Sequence, residues 1–91
     1  MNWERKLKGL GFRKQYLDDK SGWWYQLNIK NRFTNKLHIS VEVDRRSIIV
    51  WAEEPKNIEW RMDYTFVIVA KKLTKKNLHD VLAIFHPLQY M

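Results

Sequence analysis

The sequence predicts a single α+β domain, an antiparallel meander of about five strands with a short N-terminal helix and a C-terminal helix packed on one sheet face. Three observations predict it. Apolar residues recur at helical spacing near both ends, they alternate with polar residues between Phe12 and Lys72, and turn residues separate the alternating runs by short connections. Short connections pair successive strands antiparallel. With 91 residues the chain is long enough for one core and too short for two.

The first helix is read from Trp3, Leu7 and Leu10 at i, i+4 and i+7, with Glu4, Arg5, Lys6 and Lys8 on the other faces. Asn2 is the expected N-cap, and Gly11 is expected to end the helix in the left-handed conformation with Phe12 folding back on Leu7. The strands follow. Phe12 to Leu17 leads into the turn Asp18-Asp19-Lys20-Ser21-Gly22. Trp23, Tyr25, Leu27 and Ile29 then alternate with Trp24, Gln26, Asn28 and Lys30. After a polar loop from Asn31 to Lys36, Leu37, Ile39, Val41 and Val43 alternate with His38, Ser40, Glu42 and Asp44. Asp44-Arg45-Arg46 turns the chain into Ile48-Ile49-Val50-Trp51, apolar on both faces and therefore expected to be central or covered. Pro55-Lys56-Asn57 is the next turn, and a long strand runs from about Trp60 to Ala70 with Met62, Tyr64, Phe66 and Ile68 on one face. The last helix has Thr74 as its expected N-cap, an apolar stripe of Leu78, Val81, Leu82 and Phe85, and Pro87 as its stop.

Composition narrows the function. Without cysteine there is no disulfide framework, thiolate nucleophile or zinc finger. Met1 to Lys6 lacks the apolar stretch of a secretory signal, and Phe66 to Ala70, an apolar run that no other exceeds, is far short of the ~20 residues that span a bilayer. A cytoplasmic protein with no membrane partner is expected. Catalysis is not expected, and neither is a cofactor or metal. His79 and His86 lie about two helical turns apart, His38 falls on the polar face of a strand where solvation is the default, and no phosphate loop, HExxH or G-x-S-x-G pattern occurs.

The net charge of +7 comes from 17 basic and 10 acidic residues, unevenly placed. Residues 1–41 carry +6, residues 42–63 carry −2 and residues 64–91 carry +3. Two basic ends make one positive surface only if the fold brings them together. Within the C-terminal end, Lys71, Lys72, Lys75 and Lys76 are the most suggestive cluster. Lys75 and Lys76 occupy a first helical turn, where the macrodipole disfavours cations by about a few tenths of a kcal/mol, so they either serve an anionic partner or simply extend into solvent.

Trp24 should face outward beside Arg13 and Gln15, with Arg32 on the following loop. That surface suits stacking on a base or anchoring a protein. Two alternatives stand beside it: Trp24 packs under the Arg32–Lys36 loop or a neighbouring strand, or a one-residue slip buries it and exposes Trp23. Trp51, which shares a face with Ile49, poses the same question.

The helix-Gly-strand opening and the Thr74-Lys75-Lys76 helix start resemble double-stranded-RNA-binding and HicA-like domains. The strand count is higher here, and Ser21-Gly22-Trp23-Trp24 stands where a HicA-like toxin has its histidine, so no site residue follows from the resemblance. The short, basic, aromatic-rich chain also looks like small accessory proteins of phages and mobile elements.

The expectation is a small basic non-enzymatic module that contacts nucleic acid or nucleoprotein machinery through Arg13, Trp24, Arg32, Lys71, Lys72, Lys75 and Lys76. The alternative is a protein-interaction module, such as a phage- or mobile-element-type inhibitor of a nucleic-acid enzyme, that meets an acidic protein surface with its aromatic sheet face. A homodimer that hides Trp51 or Trp24 is a related expectation.

Overall fold

A computed structural model describes residues 2–29, 36–53 and 65–85. Arg32 and its loop, the Pro55-Lys56-Asn57 turn, the Trp60–Tyr64 part of the last strand, His86 and the Pro87 stop lie outside the described residues. The elements run α1 (Trp3–Gly9), β1 (Arg13–Tyr16), β2 (Trp23–Ile29), β3 (Lys36–Glu42), β4 (Ser47–Glu53), β5 (Thr65–Lys72) and α2 (Lys75–Phe85). The five strands form one antiparallel sheet in the order β1-β2-β3-β4-β5, so every strand pairs with its neighbour in sequence. This is the meander the alternation predicts.

Both ends of α1 are closed by local hydrogen bonds. The Asn2 side chain accepts from the Arg5 backbone N–H at 3.1 Å. At the other end Gly11 takes φ 97°. Its N–H donates to the Lys8 carbonyl at 3.1 Å, and the Phe12 N–H donates to the Leu7 carbonyl at 3.0 Å. This double bond pattern is a Schellman motif, and the buried Leu7 and Phe12 supply its apolar contact. A seven-residue helix does not hold itself. Leu7 docks it on the sheet.

Burial on the sheet follows register. Tyr25 and Leu27 on β2, Ile39 and Val41 on β3, and Ile48 and Val50 on β4 form the core with Leu7 of α1 and Leu78, Val81 and Leu82 of α2. Both helices therefore cover one face. α2 starts where the Thr74 hydroxyl accepts the Asn77 N–H at 3.0 Å, as the sequence predicts.

Two details depart from a uniform period of two. The β4–β5 register shifts between Val50 and Trp51: Val50 faces Val69, but Trp51 faces Val67. The extra residue, Ile68, drops out of the alternation and is exposed. Lys71 and Lys72, expected just beyond the last strand, are its final residues.

A polar clamp fastens α1 to the sheet. The buried Tyr25 hydroxyl donates to Glu4 Oε1 at 2.9 Å, and Lys14 Nζ approaches the same oxygen at 3.4 Å while lying 4.3 Å from the Trp23 ring centroid. Burial, then the bond to Glu4, pushes the Tyr25 phenol up to about 12. The Tyr25 and Lys14 hydrogen bonds hold Glu4 below its ordinary value of 4.5.

Gly11→Ala should cost about 1–2 kcal/mol in urea denaturation, because the backbone there is left-handed. The new Cβ would meet only Leu27 Cδ1 at 3.7 Å, so a loss well below that range would show the backbone free to readjust. The clamp also sets a pH signature. The phenol is raised in the folded state, so its contribution is complete below about pH 10 and is lost as pH rises toward about 12. The carboxyl is lowered, so its contribution holds above about 4.5 and is lost as pH falls through the folded value. Tyr25→Phe should remove the alkaline limb from a stability-versus-pH series and cost about 1–2 kcal/mol at neutral pH. An unchanged alkaline limb would assign it to other groups.

Candidate nucleic-acid interface

The sheet face turned away from the helices is built from cross-strand rows. One row reads Arg13, Gln26, Ser40, Ile49 and Ala70 from β1 to β5. The row beside it contains Asn28, His38, Trp51 and Val67. On the other side, Gln15 opposes Trp24, and Glu42 opposes Ser47, which opposes Lys72. Trp24 is thus on the open face and Trp23 on the helix-covered face.

The open face is held by its own polar bonds. Trp24 Nε1–H donates to Gln26 Oε1 at 2.9 Å, and Gln26 Nε2–H donates to Asn28 Oδ1 at 2.7 Å. His38 Nδ1 lies 2.6 Å from the same Asn28 oxygen. His38 is 6% exposed and stacks on Trp51 at 4.2 Å between centroids. The expectation of a solvated histidine is corrected: it lies on the predicted face, but Trp51 covers it. Trp51 in turn donates its Nε1–H to Ser40 Oγ at 2.7 Å.

Between these groups lies an open groove of about 600 Å³. Trp24, Trp51, Ile49, Val67 and Ser40 line it, with Leu17, Ser21, Gly22 and Trp23 at the β1–β2 turn. Glu42, Asp44 and Arg45 line the end nearest the β3–β4 turn, where Arg45 Nε sits 3.4 Å from Glu42 Oε2.

At that end the chain also gathers cations. In a meander, the β3–β4 turn and the exit of β5 lie at the same end of the sheet. Here the Leu73 N–H donates to the Arg46 carbonyl at 2.8 Å, which pins the turn against the start of α2. Arg45, Arg46, Lys71, Lys72, Lys75 and Lys76, all exposed, therefore form one basic corner. Lys72 belongs to the open face, across from Ser47. Lys71 opposes Ile48 on the helix side, and Lys75 and Lys76 occupy the first turn of α2, so the corner wraps around the end of the sheet. Glu42 and Asp44 are the acidic residues of the adjoining turn.

The structure brings together some of the sequence-predicted residues and separates others. Lys71, Lys72, Lys75 and Lys76 cluster, and Trp24 borders the groove beside them. Arg13 lies on the same face but on β1, the opposite edge of the sheet, roughly 19 Å from β5 at the usual strand spacing. Arg45 and Arg46 join the corner although the sequence reading assigned them only a turn. Their signal was topological: an antiparallel meander returns that turn to the end where the last strand finishes. Among the described residues, no group of three or more His, Asp or Glu side chains could hold a metal ion, and no helix is long and apolar enough to cross a membrane.

Arg46 also carries backbone strain, with φ 52° in the left-handed region where glycine or asparagine is usual. Comparisons with protein-family profiles, curated proteins and solved structures find no match.

Arg46→Gly should raise stability by about 0.5–1 kcal/mol, the left-handed penalty being partly offset by the greater freedom of glycine in the unfolded chain. The urea midpoint reads this directly. No gain over Arg46→Ala would show that the turn stores no strain.

Proposed function

We propose that the protein is a small non-enzymatic module of the cytoplasm that binds nucleic acid, with the basic corner on the phosphate backbone and the aromatic groove beside it. The observation that carries this reading is the convergence of two arginines and four lysines from three elements at one end of the sheet, next to a groove bordered by Trp24 and Trp51. Clustered cations neutralise phosphates and release the counterions condensed on them, which makes affinity fall steeply with salt. The α2 lysines fit this account, since their placement against the helix dipole is unfavourable for the helix alone.

A second reading, a protein-interaction module such as an inhibitor of a nucleic-acid enzyme, draws support from β5. Its Val67 and Ile68 are 61% and 44% exposed beside the groove. Such a module would use the sheet face as its hot spot and would not depend on phosphate contacts.

Fluorescence-anisotropy titration with labelled oligonucleotides between about 50 and 200 mM salt distinguishes the two. Four to five phosphate contacts predict a log-log slope of about −3 to −4. Lys72→Ala with Lys75→Ala should reduce the magnitude of that slope by about 1.5 and weaken binding. Absence of binding near 50 mM salt, or binding indifferent to both substitutions, would overturn the nucleic-acid reading.

A further inference from the structure

We infer that the groove takes an unpaired nucleobase bearing an exocyclic amine, so that the protein prefers single-stranded nucleic acid to duplex. The inference rests on the nucleic-acid reading and adds the identity of what enters the groove.

Four features of the open face lead to it. Both indole N–H groups are already used, Trp24 on Gln26 at 2.9 Å and Trp51 on Ser40 at 2.7 Å. What the rings offer a ligand is therefore π surface, the kind of contact that stacks any base without reading its edge. Their orientation is also set in advance, because each hydrogen bond ties its ring to the strand beneath it, so little side-chain ordering remains for the ligand to impose. The groove volume of about 600 Å³ accommodates a base with its sugar.

The fourth feature is the placement of charge. Glu42 and Asp44 line the groove itself together with Arg45, which pairs with Glu42, whereas Arg46, Lys71, Lys72, Lys75 and Lys76 lie outside its lining. Carboxylates repel phosphate, which favours a path for the backbone over the cations of the neighbouring corner and not through the groove. A base entering from that backbone presents its edge to the carboxylates. Cytosine, adenine and guanine carry an exocyclic amine that donates to a carboxylate, while thymine and uracil carry none and offer only the single N3–H between two carbonyls. Arg45 Nε lies 3.4 Å from Glu42 Oε2 at the same end of the groove. In a duplex the amines are paired and the bases stacked, so the groove stays empty and only the corner contributes.

The test compares single strands of about 12 nucleotides, oligo-dC and oligo-dT, with a duplex of equal length, at about 100 mM salt and about pH 8. Oligo-dC should bind about tenfold more tightly than the duplex and about fivefold more tightly than oligo-dT. Trp24→Ala, or Trp24→Leu should the alanine variant fold poorly, should bring oligo-dC down to the duplex level. Glu42→Gln with Asp44→Asn should abolish the preference for dC over dT. Equal binding of all three ligands, with the lysine dependence retained, overturns this inference and leaves the nucleic-acid reading standing. No binding of any ligand overturns both. A single-strand preference that survives both Trp24 substitutions in folded protein overturns the groove as its source.

Discussion

The burial of Tyr25 beneath α1 is the constraint on which the rest of the structure depends. Its ring lies in the core with Leu7 and Val41, and its hydroxyl ends on Glu4, so β2 has one register available. Side chains on a strand alternate, and a slip of one residue would exchange the two faces. With Tyr25 inside, Trp24, Gln26 and Asn28 must be outside. The ladders then carry that choice across the sheet, setting Ser40 against Gln26, His38 against Asn28 and Trp51 against His38. The composition of the groove is in this sense decided at the opposite face, by a helix of seven residues that could not fold without the sheet it fixes.

Much of this was legible in the residues themselves. Asn2, Gly11 and Thr74 announce helix ends through chemistry confined to a few neighbouring residues, and the alternation from Trp23 to Val43 marks two faces while leaving open, by a slip of one residue, whether Trp23 or Trp24 is outward. The bulge at Ile68 was not legible, because Val67-Ile68-Val69 is apolar throughout and no polar residue marks where the period breaks. His38 was half legible: its face was right, but its burial depends on Trp51 lying across it, a contact between residues 13 positions apart in the chain. Arg45 and Arg46 were missed for another reason. Their local sequence says only that the chain turns, and their charge acquires meaning when the strand order is followed around to the exit of β5.

The same geometry revises what the net charge means. Arg13 of the N-terminal excess and Lys72 of the C-terminal excess belong to opposite edges of the sheet and do not meet. Arg45 and Arg46, from the stretch whose overall balance is acidic, join the C-terminal lysines instead. Their own stretch supplies Glu42 and Asp44 to the groove beside them. Cations beside a groove that also carries carboxylates make a more selective surface than a uniform positive patch, because they attract a polyanion while disfavouring entry of its phosphates into the groove.

The order of strands also bears on how the molecule comes together. Neighbour-only pairing keeps contacts local, a property associated with rapid folding. Four residues join β3 to β4, whereas eleven separate β4 from β5, so loop-closure entropy is greatest for the pairing that delivers Lys71 and Lys72. The hairpins from β1 to β4 can therefore assemble before the cations are brought together. Mutual repulsion within the basic corner is deferred to the closing step, when the docking of Leu78, Val81 and Leu82 is there to oppose it.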